Sequence, residues 1–119
     1  MTGEQSHIRV QTQLGVSVIG FSESRITDEL VIQKIGKELL AVVDAQPLPK
    51  VAISFTGVEQ LSSAALGVLI SVNTRVKTKG GKLCLCDIAK PIFEIFKITK
   101  LDRLFLTAES VEKACASLA

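Results

Sequence analysis

The chain has 119 residues, 47% hydrophobic and 22% charged, which predicts one domain over residues 1–119 with a folded part that begins near His7 and a flexible segment 1–6. A net charge of +2, from evenly scattered Lys and Arg, leaves no basic stripe for nucleic acid, and three cysteines are too few for a disulfide framework. Because no apolar run approaches the roughly 20 residues of a membrane span, and the first residues lack the apolar core of a signal peptide, we expect a cytoplasmic protein without membrane insertion.

Two short apolar runs open the chain, Ile8 to Gln11 and Val16 to Phe21. Gly15 lies in the polar stretch between them, and glycine accepts the positive φ angle of a tight turn at little steric cost. The two runs are therefore predicted to form an antiparallel hairpin at the edge of a sheet.

A first helix is predicted after the hairpin, with Thr27 as its N-cap. Asp28 and Glu29 fall in its first turn, where the helix dipole favours anions. Pro47 and Pro49 end it, because proline cannot continue a helix. The apolar residues that recur at helical spacing, and that we expect to be buried, are Ile32, Ile35, Leu39, Val42 and Val43.

The run Val51 to Phe55 is short and almost wholly apolar, which is typical of a central parallel strand. After a loop over Thr56 to Leu61, a second helix is predicted from Ser62 to the pair Gly80 and Gly81. Glycine terminates helices readily, and a glycine pair between a helix and a strand indicates a turn rather than a phosphate-binding loop. The predicted buried face of this helix consists of Ala65, Leu69, Val72 and Val76.

The last third of the chain predicts a buried strand over Leu83 to Cys86, a short helix with Pro91 in its first turn, a brief strand over Leu104 to Leu106, and a final helix capped by Thr107. Ile92, Ile95 and Phe96 follow Pro91 on this short helix. Helices that alternate with strands at this spacing predict right-handed crossovers. The fold class is therefore α/β, a sandwich with a mixed, mostly parallel sheet opened by an antiparallel hairpin and about four helices.

Few residues are suited to catalysis. Cys84, Cys86 and Cys115 lie among apolar neighbours, and because a zinc site would need more ligands than this chain offers nearby, we interpret them as buried small hydrophobes. His7 has no recognisable acid and nucleophile around it in the sequence, so we expect a plain surface residue. We predict no catalytic residue, no metal and no cofactor.

The junction after the central strand is the strongest candidate site. Ser62 and Ser63 stand at the start of a helix, beyond the carboxyl end of a strand, where open α/β sheets usually present their functional groups. One serine is explained as an N-cap, but two leave one hydroxyl spare. A phosphate on that hydroxyl would meet free backbone N–H groups and the positive end of the helix dipole.

Several segments of the chain together resemble the STAS domain, the fold of anti-sigma factor antagonists and of the cytoplasmic tails of sulfate transporters. The resemblance covers almost the whole chain and includes the opening hairpin. The segments that carry it are Val51 to Phe55, Ser62 to Leu69, Lys79 to Leu83 and Ile95 to Leu101.

The family's signature, Asp-Ser-Ser/Thr-Gly-Leu-Gly-Val, includes a hydroxyl residue after the Asp that is phosphorylated by a partner kinase, itself an anti-sigma factor. Aligned on residues 66–68, Ser62 replaces the Asp and Ser63 takes the acceptor position. Ala64 stands at the second hydroxyl, and Ala65 replaces the Gly. The nearest carboxylate in the sequence is that of Glu59.

The resemblance implies an anti-sigma factor antagonist that binds an anti-sigma factor/serine-threonine kinase and is released by phosphorylation, with Ser63 as first and Ser62 as second phosphoacceptor candidate. The missing Asp leaves an alternative, a non-phosphorylated STAS scaffold subunit of a larger signalling or lipid-transport assembly. A third alternative is a small-molecule or nucleotide-binding module that uses the same helix start. We expect a monomer or a weak homodimer. The predicted partner-binding residues are Glu59, Gln60, Ser62, Ser63, Ala64, Ala65 and Gly67.

Overall fold

A computed structural model describes residues 7–118, so the flexibility expected of residues 1–6 lies outside the described residues. The strands are β1 (Ile8–Gln13), β2 (Val16–Phe21), β3 (Arg25–Ile26), β4 (Lys50–Ser54), β5 (Gln60–Leu61), β6 (Lys82–Cys86) and β7 (Leu106–Ala108). The helices are α1 (Glu29–Asp44), α2 (Ser63–Thr78), α3 (Lys90–Ile98) and α4 (Val111–Leu118), with a 3-10 turn over Leu101–Arg103.

The main sheet has five strands in the order β1-β2-β4-β6-β7. Strands β1 and β2 are antiparallel, and every other neighbouring pair is parallel, so the predicted mixed sheet with β4 at its centre is confirmed. The hairpin turn consists of Leu14 and Gly15, with φ angles of 55° and 77°. Two successive positive φ angles match the right-handed twist of the strands that they connect.

The two faces of the sheet are covered by different helices. Helices α1, α2 and α3 contribute to one cluster of buried residues with one face of the strands. Helix α4 packs on the other face, where Ala114, Cys115 and Leu118 meet Cys84 and Cys86. Because the parallel strands follow one another without a reversal of order, their crossovers all wind in the same direction and place their helices on the same face.

The start of α1 corrects one sequence prediction. The N-cap is Asp28 and not Thr27, because the Asp28 carboxylate accepts hydrogen bonds from the backbone N–H groups of Leu30 and Val31, at 2.9 and 3.1 Å. The predicted buried face is confirmed at four of its five positions, and Val42 is only partly buried.

The region before α4 corrects two more predictions. The last strand is Leu106–Ala108 instead of Leu104–Leu106, because the 3-10 turn brings the Phe105 N–H to the carbonyl of Leu101 and holds Phe105 in the core before pairing begins. Thr107 lies within this strand, so it does not cap the helix. Ser110 has that role, since its hydroxyl accepts a hydrogen bond from the N–H of Lys113 at 3.2 Å.

In α3, Ile92 and Phe96 are buried, whereas Ile95 keeps 37% of its surface exposed. The three positions share one face of the helix, and Ile95 lies at its exposed edge. Pro91 lies in the first turn, as expected.

Candidate functional site

The segment that leads into α2 is fixed by an element too short to be predicted. Strands β3 and β5 form a parallel pair of two residues each, separate from the main sheet. The carbonyl of Ser24 accepts from the N–H groups of Glu59 and Gln60, and the N–H of Ser62 donates to the carbonyl of Ile26 at 3.1 Å. The backbone before α2 is therefore anchored to the segment before α1.

Ser62 is the N-cap of α2. Its backbone is extended (φ −85°, ψ 168°), and its hydroxyl accepts a hydrogen bond from the N–H of Ala65 at 3.2 Å. Its side chain is only partly exposed. This is the structural role that one serine of the pair was predicted to fill.

Ser63 is the first residue of α2, and it is exposed. Within residues 7–118 its hydroxyl forms no hydrogen bond. The first turn of the helix contains no acidic residue, and the first N–H groups of a helix have no acceptors inside it. An anion at Ser63 would therefore meet unopposed positive potential.

The surroundings of Ser63 present small residues. Ala64 and Gly67 are exposed, and a Cβ atom added to Gly67 would meet no atom within 4 Å. No contact inside the described chain therefore requires glycine at this helical position. Ala65 corrects the predicted surface: it is 4% exposed because it faces the core with Leu69, so it belongs to the buried face.

Glu59 and Gln60 are exposed and complete the surface on the loop side of α2. The Glu59 carboxylate forms no hydrogen bond or ion pair within the described residues, so it is not hydrogen-bonded to Ser62 or Ser63. The structure brings together Gln60, Ser62, Ser63, Ala64 and Gly67 around one helix start. No carboxylate of residues 7–118 forms a hydrogen bond with either serine.

A polar network at the same edge of the sheet was missed by the sequence reasoning. Ser54, at the end of β4, is 7% exposed, and its hydroxyl lies 2.9 Å from the carboxylate of Asp87 and 3.0 Å from the hydroxyl of Thr56. Asp87 follows β6 and has a φ angle of 56°. The only sequence signal is a serine inside an otherwise apolar strand. The network ties the carboxyl ends of β4 and β6 together.

The three cysteines are completely buried, as predicted. Burial raises the pKa of the Cys84 thiol, and burial together with the Asp87 carboxylate raises the pKa of the Cys86 thiol to about 12. A thiol with a raised pKa is a poor nucleophile and a poor metal ligand. In the described part of the chain, no group of three or more His, Cys, Asp or Glu is arranged to hold a metal ion.

His7 is not the plain surface residue that was expected. Its Nδ1 atom lies 2.7 Å from Oε2 of Glu23, and its side chain is 19% exposed. The backbone N–H of His7 also donates to the Glu38 carboxylate at 3.2 Å. The acid partner was missed because the hairpin folds β2 back along β1, which places residues 7 and 23 side by side. These contacts tie the start of β1 to the loop after β2 and to α1.

None of the helices in residues 7–118 combines the length and apolar character needed to cross a bilayer.

Comparison with known proteins points to one family. A model described as the STAS domain matches residues 7–114. The solved structure of an anti-sigma-factor antagonist (STAS) domain protein from Planctomyces limnophilus is 25% identical, with a TM-score of 0.83 over 93% of this chain and 97% of that chain. An anti-sigma factor antagonist from Mycobacterium paratuberculosis is 23% identical, with a TM-score of 0.78 over 93% and 92% of the two chains.

A third solved structure, the Bacillus cell fate determinant SpoIIAA in its phosphorylated form, is 12% identical and has a TM-score of 0.71 over 94% of this chain and 99% of that chain. At that identity the likeness concerns the fold alone. The family model covers nearly all the described residues, and the sheet order and helices are shared with these neighbours, so the chain belongs to the STAS domain family.

Proposed function

We propose that this protein is an anti-sigma factor antagonist that binds an anti-sigma factor/serine-threonine kinase through the start of α2. Its action is binding, without catalysis, and phosphorylation of Ser63 releases the partner. The support from relatives is that neighbours of the same fold are described as anti-sigma factor antagonists, and that one of them is described in a phosphorylated form.

The division of roles between Ser62 and Ser63 is the observation that carries the proposal. The Ser62 hydroxyl is occupied by the cap, whereas the Ser63 hydroxyl is exposed and unbonded in the described chain. A kinase can therefore reach Ser63 without disturbing the helix. The transferred phosphate adds nearly two negative charges to the docking surface and would repel or misalign a partner fitted to the unphosphorylated surface.

Gly67 supports the docking surface independently. Glycine inside a helix costs about 0.5–1 kcal/mol relative to alanine, and no neighbouring atom in the structure requires its small size. An external requirement accounts for it: with Ala64, it lets the backbone of a partner approach the helix closely.

Phosphorylation is tested by incubating the purified protein with ATP and each anti-sigma serine kinase of the source organism, followed by intact-mass and peptide mass spectrometry. We expect phosphate on the wild type, on Ser62→Ala and on the matched control Ser71→Ala, an exposed serine of the same helix. We expect none on Ser63→Ala. Undiminished phosphate on Ser63→Ala would refute the assigned acceptor.

Docking is tested with the same kinase by isothermal titration calorimetry in the absence of ATP. Ser63→Asp should weaken binding by about tenfold or more, since it places a charge in the docking surface, whereas Ser71→Asp should change it little. Equal affinities for the two variants would show that the partner binds elsewhere.

The scaffold-subunit alternative is favoured by one observation: among the described residues no carboxylate forms a hydrogen bond with either serine. It predicts that no kinase transfers phosphate and that the protein forms a complex without a kinase, which Gly67→Phe blocks. No phosphate transfer in the first experiment, together with a native complex that contains no kinase and is lost in Gly67→Phe, would therefore select the scaffold.

A further inference from the structure

A pocket lies at the opposite end of the molecule from the serine pair. Its volume is about 420 Å³, within the range of roughly 300–1,000 Å³ that is usual for small-molecule sites. It is formed where the second half of α2, the amino end of β6, the 3-10 turn and the start of β7 meet. The residues that line it are Asn73, Lys77, Gly81, Lys82, Leu83, Arg103, Leu104, Phe105, Leu106 and Ser117.

Asn73 is the unexplained residue of this pocket. It is 4% exposed, yet its side chain forms no hydrogen bond within residues 7–118. In the described chain, every fully enclosed side-chain nitrogen or oxygen has a hydrogen-bond partner. The Asn73 amide atoms have none, so they belong to the small part of this residue that is exposed. That area opens into the pocket that the residue lines. The amide forms no hydrogen bond to the described protein, so its donor and acceptor are available to a ligand in the pocket.

The charged side chains that line the pocket within residues 7–118 have one sign. Lys77, Lys82 and Arg103 line it, and no carboxylate of these residues does. None of the three forms an ion pair with another described residue. Lys77 is partly explained by the negative end of the α2 dipole, but Lys82 begins a strand and Arg103 belongs to the 3-10 turn. Three different elements therefore each contribute one positively charged side chain to the same cavity.

The remaining wall of the pocket is apolar. Leu83 and Phe105 are buried behind it, whereas Leu104 and Leu106 are 38% and 52% exposed. Apolar surface next to free cations and an amide with an unsatisfied donor and acceptor matches a ligand that has a charged end and an apolar end. It does not match a free inorganic ion, which would leave the leucines uncovered.

We propose that this pocket binds a small amphipathic anion, with a phosphate or carboxylate head held by Lys82, Arg103 and the Asn73 amide and an apolar body held against Leu104 and Leu106. Such a site is separate from the start of α2, and its test involves no kinase.

The test is a titration of the full-length ¹⁵N-labelled chain, observed by heteronuclear NMR. The probes are n-octyl phosphate and octanoate below their micelle-forming concentrations, with inorganic phosphate, 1-octanol and octaglutamate as comparisons. We expect saturable shifts of the Asn73 side-chain amide and of the Leu83 and Leu106 backbone amides with octyl phosphate, octanoate or both. Which of the two binds more tightly identifies the head group.

Two variants locate the binding. The double variant Lys82→Gln/Arg103→Gln should lower the affinity for the tighter-binding probe on the order of tenfold or more. The control Lys34→Gln/Lys90→Gln removes the same charge elsewhere and should leave that affinity unchanged. Asn73→Leu should weaken binding while the urea midpoint stays unchanged or rises. The proposal is overturned if neither amphipathic probe binds, if inorganic phosphate, octanol or octaglutamate binds equally well, or if the two double variants have equal affinities.

Discussion

Ser62 and Ser63 carry the same hydroxyl group but differ in what surrounds it. The backbone of Ser62 is extended and turns its hydroxyl toward the N–H of Ala65, whereas Ser63 already belongs to the helix and projects outward. Ser62 therefore serves the stability of the helix, and Ser63 is the residue available for recognition.

This assignment can be measured without any partner. Ser62→Ala should lower the free energy of unfolding by about 1 kcal/mol, because it removes the cap. Ser63→Ala should change it by less than about 0.5 kcal/mol, because no contact is lost. Urea unfolding followed by circular dichroism gives both values. A larger loss for Ser63→Ala than for Ser62→Ala would contradict the assignment.

The Cys86 thiol predicts a dependence of stability on alkaline pH. Burial, and then the nearby Asp87 carboxylate, raise its pKa from 9.0 to about 12 in the folded chain. Below pH 9 the thiol is protonated in the folded and the unfolded chain, and stability is fully present. As the pH rises toward 12, only the unfolded chain releases the proton, so stability is lost by at most about 1.4 kcal/mol per pH unit for this thiol.

Urea midpoints of the wild type and Cys86→Ala between pH 8 and pH 10 provide the test. The variant starts from a lower stability because it leaves a small cavity, but its decline with pH should be shallower. Part of the decline remains, since burial also raises the pKa of Cys84. Parallel declines would show that Cys86 ionises normally in the folded chain.

At the scale of residues, a role could be predicted from the sequence where the neighbours along the chain define it. The double serine and the buried cysteines are examples. The Ser54–Asp87 hydrogen bond and the His7–Glu23 contact were missed, because each joins residues that are brought together only when the strands pair. The spacing of residues within one segment cannot predict such a contact.

At the scale of elements, Gly67 within helix α2 and Gly81 after its end have opposite roles. Gly67 has no neighbour near its missing Cβ atom, whereas a Cβ at Gly81 would fall on the carbonyl oxygen of Pro49. That oxygen accepts the N–H of Lys82 at 2.9 Å, at the point where β6 begins beside β4. The close approach of the two backbones leaves no space for a side chain.

The same substitution at the two glycines should therefore have opposite effects. Gly67→Ala should stabilise the fold by about 0.5–1 kcal/mol, since alanine favours the helix. Gly81→Ala should destabilise it by about 1–3 kcal/mol or more, because a backbone atom must move. Thermal unfolding of both variants measures the signs. A destabilised Gly67→Ala would mean that the helix needs glycine for an internal reason.

Long periodic elements were predicted well, and short ones were not. The buried face of α2 and the three central strands follow from apolar spacing over many residues. Strands β3 and β5 have two residues each, too few to show any period, and they form only because the loops before α1 and α2 meet. The predicted position of the last strand was wrong because Phe105 is a residue type typical of strands, but here it packs into the core from the end of a 3-10 turn.

At the scale of the whole molecule, the short helix α4 covers one face of the sheet. Among the described helices, it alone contributes to the buried cluster on its side of the sheet, where it covers Cys84 and Cys86. Its last described residue, Leu118, is 1% exposed.

Leu118→Ala should therefore lower the free energy of unfolding by about 2–4 kcal/mol, because it opens a cavity against the sheet. Leu30→Ala is the matched control: Leu30 is 70% exposed, and its loss should cost less than about 0.5 kcal/mol. Both are measured by urea unfolding. A small effect at Leu118 would show that α4 is detached from the sheet in solution.

Helix α2 is also the element that joins the two surfaces on which the proposals rest. Ser63 is its first residue, and Asn73 and Lys77 lie in its second half, so at 1.5 Å per residue the two surfaces are separated by about 15–21 Å of one straight helix. The Coulomb interaction between a phosphate at one end and a ligand at the other is largely screened at physiological ionic strength over that distance. If occupancy of one surface changes affinity at the other, the coupling must therefore pass through the protein itself, and the change in affinity must be equal in both directions.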